Sequence, residues 1–389
     1  MLSNDKYISA SNFTLRFLSF LKTIKNGAIC IVFLIFLTLK LYTYIMKKTF
    51  TLSCLILASI IGAGFASGKE IEIFFTRYGV ASYVGIAVVF LLFNLLISSY
   101  LQFGNMFKPN TFFSANKMLI GKFANVFNMF ILISYFIVLA GMFAGVYEVY
   151  LCLFSKITST IFTVLTAILV VIELVGGVKS INKVNNIFVP ITMIILIISA
   201  VIVIEKSNTY NVVILQNSLV KVVLSAFSYV GINILLSGSI LITEGKFFSN
   251  KHIKSSAIIS SLILCLIILL FNFVMQSNNV VSSLPMLSLS FNISYVWGII
   301  VLVCIWFSIF STISSVTFVI STSICKTAEN FSVYAVGVVV IGYVISLFGF
   351  SEIIEFLYPI IGVMGVGYSV IIVYKVTTNK LLCKNKKSG

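Results

Sequence analysis

The chain has 389 residues, of which 60% are hydrophobic and 9% charged, and a formal net charge of +16. A soluble globular chain carries about 25% charged residues, so the composition excludes a soluble protein and predicts an all-α integral membrane protein of many spans. The lysines lie in short connectors between apolar runs, where basic residues orient spans in the lipid bilayer, which excludes nucleic acid as the partner.

Residues 1–48 read as an amino-terminal extension. Gly27–Ile45 is apolar apart from Lys40, but spanning with it would place Lys6, Arg16, Lys22 and Lys25 outside, against the positive-inside trend. Met46-Lys47-Lys48 before an apolar run reads as the natural start, with residues 1–45 upstream of it through a misplaced start codon. The alternative is an extra helix outside the core.

A bilayer core of about 30 Å needs about 20 apolar residues per helix. Apolar runs after residue 48 predict ten spans, at 49–78, 80–103, 125–150, 157–176, 187–204, 218–243, 255–275, 294–320, 331–349 and 353–374. With both ends cytoplasmic, fourteen basic residues fall on the inner side and five on the outer, and the alternation holds across all ten. The connector 104–124 suits a surface-lying helix, and the uncharged connector 276–293, with Pro285, suits an external cap. Residues 49–204 and 218–374 then form two five-span halves of opposite topology, a 5+5 inverted repeat, and 375–389 a basic cytoplasmic tail.

The first span carries the most informative run, Ile60-Ile61-Gly62-Ala63-Gly64-Phe65-Ala66-Ser67-Gly68-Lys69-Glu70. Phe50 to Gly62 is twelve residues, about 18 Å at 1.5 Å each, a little past the midplane. Three glycines there predict a broken helix, which survives in a membrane only against protein or a water-filled cavity. Ser67-x-x-Glu70 has the form of a capping box, so a second half-helix is expected near Ser67, its positive end suited to a carboxylate. In the other reading Gly62, Gly64 and Gly68 permit close helix packing. An ionisable residue inside a membrane points to function; Glu70 either caps the second half or takes part in coupling.

The sixth span predicts a matching break at Gly231, flanked by Ser228, Tyr229 and Asn233; an interhelical hydrogen bond from Asn233 is the alternative. The eighth span supplies Ser308, Ser311, Thr312, Ser314, Ser315 and Thr317. Such hydroxyls either bind a small cation together with freed carbonyls or bond their own i−4 carbonyls. Seven scattered cysteines read as small apolar residues, and one histidine, His252, reads as a loop residue. In the third span Gly141 and Gly145 form a close-packing step, and Tyr135 faces either lipid or a pathway. Glu148 and Glu173 lie near span ends.

The run Ile61–Glu70, with Phe74-Phe75 and Tyr78-Gly79 behind it, resembles the first helix of the YkvI family of bacterial membrane proteins, a branch of the amino acid–polyamine–organocation superfamily with the LeuT fold. The resemblance covers about residues 46–376. It implies a LeuT-like 5+5 repeat with helices 1 and 6 broken at mid-membrane, and a central substrate site of Gly62, Ala63, Gly64, Phe65, Ala66 and Ser67 facing Tyr229, Gly231 and Asn233. In sodium-coupled members two eighth-helix hydroxyls help bind sodium; Ser311-Thr312 or Ser314-Ser315 stand at that place. The lysine that proton-coupled relatives use on the fifth helix has no counterpart in residues 187–204. The expectation is a gradient-coupled secondary transporter of a small solute, an amino acid or related amine, with no cofactor beyond a sodium ion and with Glu70 in coupling. The alternative is a channel or membrane sensor that retains the fold. Convergent catalytic groups are not found, so an enzyme is not expected.

Overall fold

A computed structural model describes residues 47–109, 112–175, 177–206, 219–325 and 331–385, with the side chains of 47, 63, 175, 177–187, 189 and 380–385 excepted. The expected extension falls outside the described residues up to position 46. Every regular element among the described residues is helical.

The first span is divided. α1 (Lys47–Ile60) stops where Gly62 turns extended, with φ −107° and ψ −172°. α2 (Ala63–Ser67) is a single turn closed by Gly68 at φ +81°, a left-handed conformation that costs a glycine nothing. α3 (Lys69–Phe74) resumes and ends in a 3-10 turn, Thr76–Ala81, which contains Gly79 at φ 58° and ψ −138°. That turn is pinned by the Asn272 and Gln276 side chains: Asn272 accepts from Thr76 at 3.0 Å and donates to Ser82 at 2.9 Å, and Gln276 donates to the Gly79 carbonyl at 2.7 Å.

Then follow α4 (Ser82–Phe107), the short α5 (Phe112–Ile120), α6 (Ala124–Leu151), α7 (Lys156–Val175) and α8 (Gly177–Lys206), the last with Pro190 inside it. The second half holds α9 (Leu219–Gly245), α10 (Asn250–Ser277), the short α11 (Pro285–Ile293), α12 (Tyr295–Ile324) and α13 (Phe331–Ser346). A turn and a π-helical segment, Ile353–Leu357, lead into α14 (Tyr358–Asn385). Helices α5 and α11 occupy the two connectors expected to hold a surface helix and a cap. Among the described residues seven helical stretches are long and apolar enough to cross a bilayer, and Lys48–Ile60 and Phe331–Ser346 are shorter apolar helices. Their outward faces are apolar: Val126, Ile157, Val333 and Tyr374 are each more than two-thirds exposed, as a lipid-facing surface requires.

α9 is the centre of the bundle, packed between α4 and α14. It is continuous, which corrects the expected break at Gly231. The glycine serves proximity instead: a Cβ on Gly231 would overlap the Gly362 carbonyl of α14, and one on Gly365 would overlap the Gly231 carbonyl. On the opposite side, Gly245 meets the Leu101 carbonyl of α4 and Gly104 the Ile242 carbonyl. With lipid outside there is little hydrophobic drive between helices, so contact at this range, where dispersion is strongest, holds the three together. Between α1 and α10 the ties are polar: Ser256 donates to the Thr49 carbonyl at 3.0 Å, and Thr49 Oγ1 meets His252 Nδ1 at 2.7 Å. His252 is therefore a helix-pairing residue in the first turn of α10, not a solvated loop residue.

Candidate solute site

The break in the first span opens onto a cavity of about 220 Å³. Its walls are the end of α1 with the extended segment, α6, α9, α12 and the start of α14. The backbone ladder of α1 ends with Ile61 N–H on the Leu57 carbonyl at 2.8 Å and restarts with Ala66 N–H on the Gly62 carbonyl at 3.0 Å. A helix end leaves its last four carbonyls without intrahelical partners, and residues 58–61, which carry them, line the cavity.

Of the expected residues, the cavity gathers Gly62, Gly64, Glu70, Asn233, Ser311, Thr312 and Ser315. Glu70 is 8% exposed, and its carboxylate lies over Gly64 in the volume a Cβ would fill. The expected capping box is absent. Ser67 donates to the Gly64 carbonyl at 2.9 Å and accepts from Lys69 N–H at 3.2 Å, while Gly68 takes the cap position with no side-chain bond. The left-handed Gly68 points the Glu70 side chain back at the break rather than at the helix start. Lys69 turns the other way, to Glu72 at 2.7 Å and the Ser282 carbonyl at 3.1 Å.

Five expected site residues with described side chains, and Gly231, do not reach the cavity. Phe65 is fully buried against Phe271, with ring centroids 5.9 Å apart, and Ala66 and Ser67 are buried within the α2 turn. Tyr229 is enclosed by Phe74 at 5.5 Å, Phe75 at 5.0 Å and Phe93 at 6.1 Å, and its hydroxyl has no hydrogen-bond partner. Gly231 faces α14, as described. Ser314 points away from the cavity and donates to the Glu173 carboxylate of α7. The side chain of Ala63 lies outside the described set.

The structure adds Tyr135 from α6, Ser239 from α9 and Tyr358 from α14. Tyr135 faces the pathway rather than lipid and donates to the Leu236 carbonyl at 3.1 Å. Leu236 and Ile240 follow Asn233 at helical spacing, a signal available in the sequence. Tyr358 follows the π-helical segment, whose shift of register no apolar pattern announces.

The hydroxyls of Thr312 and Ser315 donate to the Ser308 and Ser311 carbonyls at 2.9 Å each, and the Asn233 amide donates to the Tyr229 carbonyl at 2.9 Å. These are the i−4 bonds of the alternative reading, and they place Asn233 in an intrahelical rather than an interhelical bond. A hydroxyl that donates once keeps two acceptor lone pairs, so donating does not remove Thr312 as an oxygen ligand at the cavity. Hydroxyl oxygens together with the carbonyls of 58–61 are the donor set that a hard cation takes.

A hollow of about 290 Å³ lies between α4, α9 and α14, lined by Leu92, Leu95, Phe227, Val230 and Val370. Ser369 in its wall donates to the Gly365 carbonyl at 2.8 Å. With apolar walls and Leu95, Val370 and Tyr374 exposed at its rim, this hollow is a lipid-facing groove rather than a polar solute site.

No family model matches the chain. It is 26% identical over 326 residues to the uncharacterized membrane protein YkvI of Bacillus subtilis (strain 168), across 80% of this chain and 91% of that protein. The chain is similar to YkvI over most of its length. The glycine-rich first helix, which carried that resemblance, is the segment that borders the cavity. Among solved structures, the chain resembles Mhp1, a nucleobase-cation-symport-1 family transporter in a closed conformation with bromovinylhydantoin bound. The TM-score is 0.58 at 13% identity, over 84% of this chain and 77% of that one. At that identity the likeness is one of fold alone. The chain is thus a multi-pass helical membrane protein whose fold resembles that of Mhp1.

Proposed function

We propose that this protein is a secondary transporter that moves a small polar solute by alternating access around the break in its first span. The observation that carries the reading is the cavity itself. An interrupted helix, the end of its backbone ladder, a buried carboxylate and hydroxyls from α12 meet in one cavity, although they come from distant parts of the chain. Interrupted spans at the interface of two repeats are where transporters bind solute and coupling ions. The likeness to a transporter fold supports the same reading.

In this account residues 49–204 and 218–374 are two five-span repeats of opposite topology, with both ends of the core cytoplasmic. Here the continuous α9 moves as a rigid unit with α4 and α14, while the flexible element is the extended Ile61–Gly62 segment. Ser311, Thr312 and Ser315, with the carbonyls of 58–61, are the candidate sodium ligands. Ser314 is not among them. The solute is an amino acid or related amine, and its volume is bounded. Pockets for drug-sized ligands run to about 300–1,000 Å³, and this cavity is smaller.

Purified protein in liposomes, with sodium or proton gradients imposed, tests the reading. Gradient coupling predicts that solute accumulates inside above its external concentration and that collapse of the gradient abolishes the excess. Flux that only equilibrates the solute under every gradient contradicts it and describes a channel.

A further inference from the structure

Building on the transporter reading, we propose that the solute is a small organic cation, an amine without a carboxylate of its own, and that Glu70 is its counter-ion. Three observations converge. First, Glu70 is the one charged group on the cavity wall: no lysine, arginine or histidine stands among the described lining residues. Its sequence neighbour Lys69 is committed to Glu72 and the Ser282 carbonyl. A buried carboxylate without a partner is strongly unfavourable, and a cation that arrives with the solute removes that cost.

Second, several donors on the wall are turned into the protein. The Tyr135, Thr312 and Ser315 hydroxyls and one Asn233 amide hydrogen are spent on backbone carbonyls. The end of α1, where the backbone ladder stops, adds carbonyl oxygen beside the cavity. An ammonium group, with three donors and no acceptor, pairs with Glu70 and these oxygens, whereas a solute carboxylate finds no cationic side chain among the described lining residues.

Third, the place beside Gly64 that a solute carboxylate would take is filled from within by the Glu70 carboxylate. The five-residue α2 adds no helix long enough to draw in a second anion. A cavity of about 220 Å³ equals roughly seven waters of liquid volume, at about 30 Å³ each, which is far more than a bare sodium ion fills.

The test is thermal unfolding of the purified full-length chain in potassium buffer. The probes are primary amines of four to eight heavy atoms, their carboxylate isosteres, the matching zwitterionic amino acids, and sodium chloride alone. The expected result is dose-dependent stabilisation by an amine and none by its carboxylate isostere. Glu70→Gln should weaken the apparent amine affinity at least tenfold, and Glu70→Asp, which keeps the charge, should retain it within a few-fold. The proposal is overturned if the carboxylate or zwitterion stabilises as well as the amine, if no amine stabilises beyond what sodium chloride alone gives, or if Glu70→Gln binds the amine unchanged. The comparison among probes on the wild-type chain stands even if a variant fails to fold. Amine binding without uptake in liposomes would remove the transporter reading and leave this inference intact. Concentrative uptake of an anion that is indifferent to Glu70→Gln would do the reverse.

Discussion

Three glycines of the first span divide three tasks among them. Gly62 carries the extended backbone, Gly64 makes room for the Glu70 carboxylate, and Gly68 supplies the left-handed turn that aims it. The identity of these positions was legible in the sequence, because an apolar helix has no use for so many glycines. The direction of Glu70 was not: Ser-x-x-Glu specifies a cap only if the residue between is helical, and Gly68 at φ +81° is not. Replacing Gly68 by alanine forces an L-residue into that conformation, at about 1–2 kcal/mol. The expected result is a lowered unfolding temperature in detergent, measured by intrinsic fluorescence. Gly64→Ala acts differently, since the added methyl overlaps the Glu70 carboxylate. It should impair solute uptake by more than tenfold, while an unchanged elution volume in size-exclusion chromatography shows that the fold is kept.

Among the elements, the contrast between the first span and α9 is instructive. Both carry glycine beside polar residues, and the sequence pattern reads as a break in each. In α9 the partner decides. Gly231 lies against Gly362 and Gly365 of α14, more than a hundred residues later, a pairing that no local pattern reveals. Gly231→Ala should therefore destabilise by about 1–3 kcal/mol through backbone overlap between α9 and α14, read as a lower midpoint of thermal unfolding; an unchanged midpoint would restore the hinge reading. The eighth-span hydroxyls show the same limit. Their chemistry was legible, but choosing Ser311, Thr312 and Ser315 over Ser314 needed the position of α7, whose Glu173 takes the Ser314 hydroxyl. The turn after α3 rests on α10 through Asn272 and Gln276. Asn272→Leu leaves the polar groups of Thr76 and Ser82 short of a partner, which should cost about 1–3 kcal/mol, and faster hydrogen exchange confined to residues 76–82 would locate that loss.

For the whole molecule, composition alone settled that the chain is a helical membrane protein, because apolar side chains on the outward faces leave no alternative to lipid. Hydropathy also placed the connectors that became α5 and α11. Which helices meet at the cavity was not legible: α1, α6, α9, α12 and α14 converge through contacts between residues far apart in the chain, and apolar pattern encodes burial rather than partnership. The charge pattern makes a separate forecast. With fourteen basic residues on the inner side and five on the outer, a reporter enzyme fused after residue 385 should be active in the cytoplasm. Activity on the outer side would invert the topology.

The central claim is that the cavity beside Gly62 opens alternately to the two sides of the membrane, and cysteine accessibility at Thr312 tests it most directly. Thr312→Cys, in a chain whose native cysteines are replaced, is treated with a membrane-impermeant thiol reagent in right-side-out and in inside-out vesicles. The account predicts modification from both sides, with a cation that binds the cavity slowing both reactions. Modification from neither side, or from one side alone whatever the conditions, would contradict it.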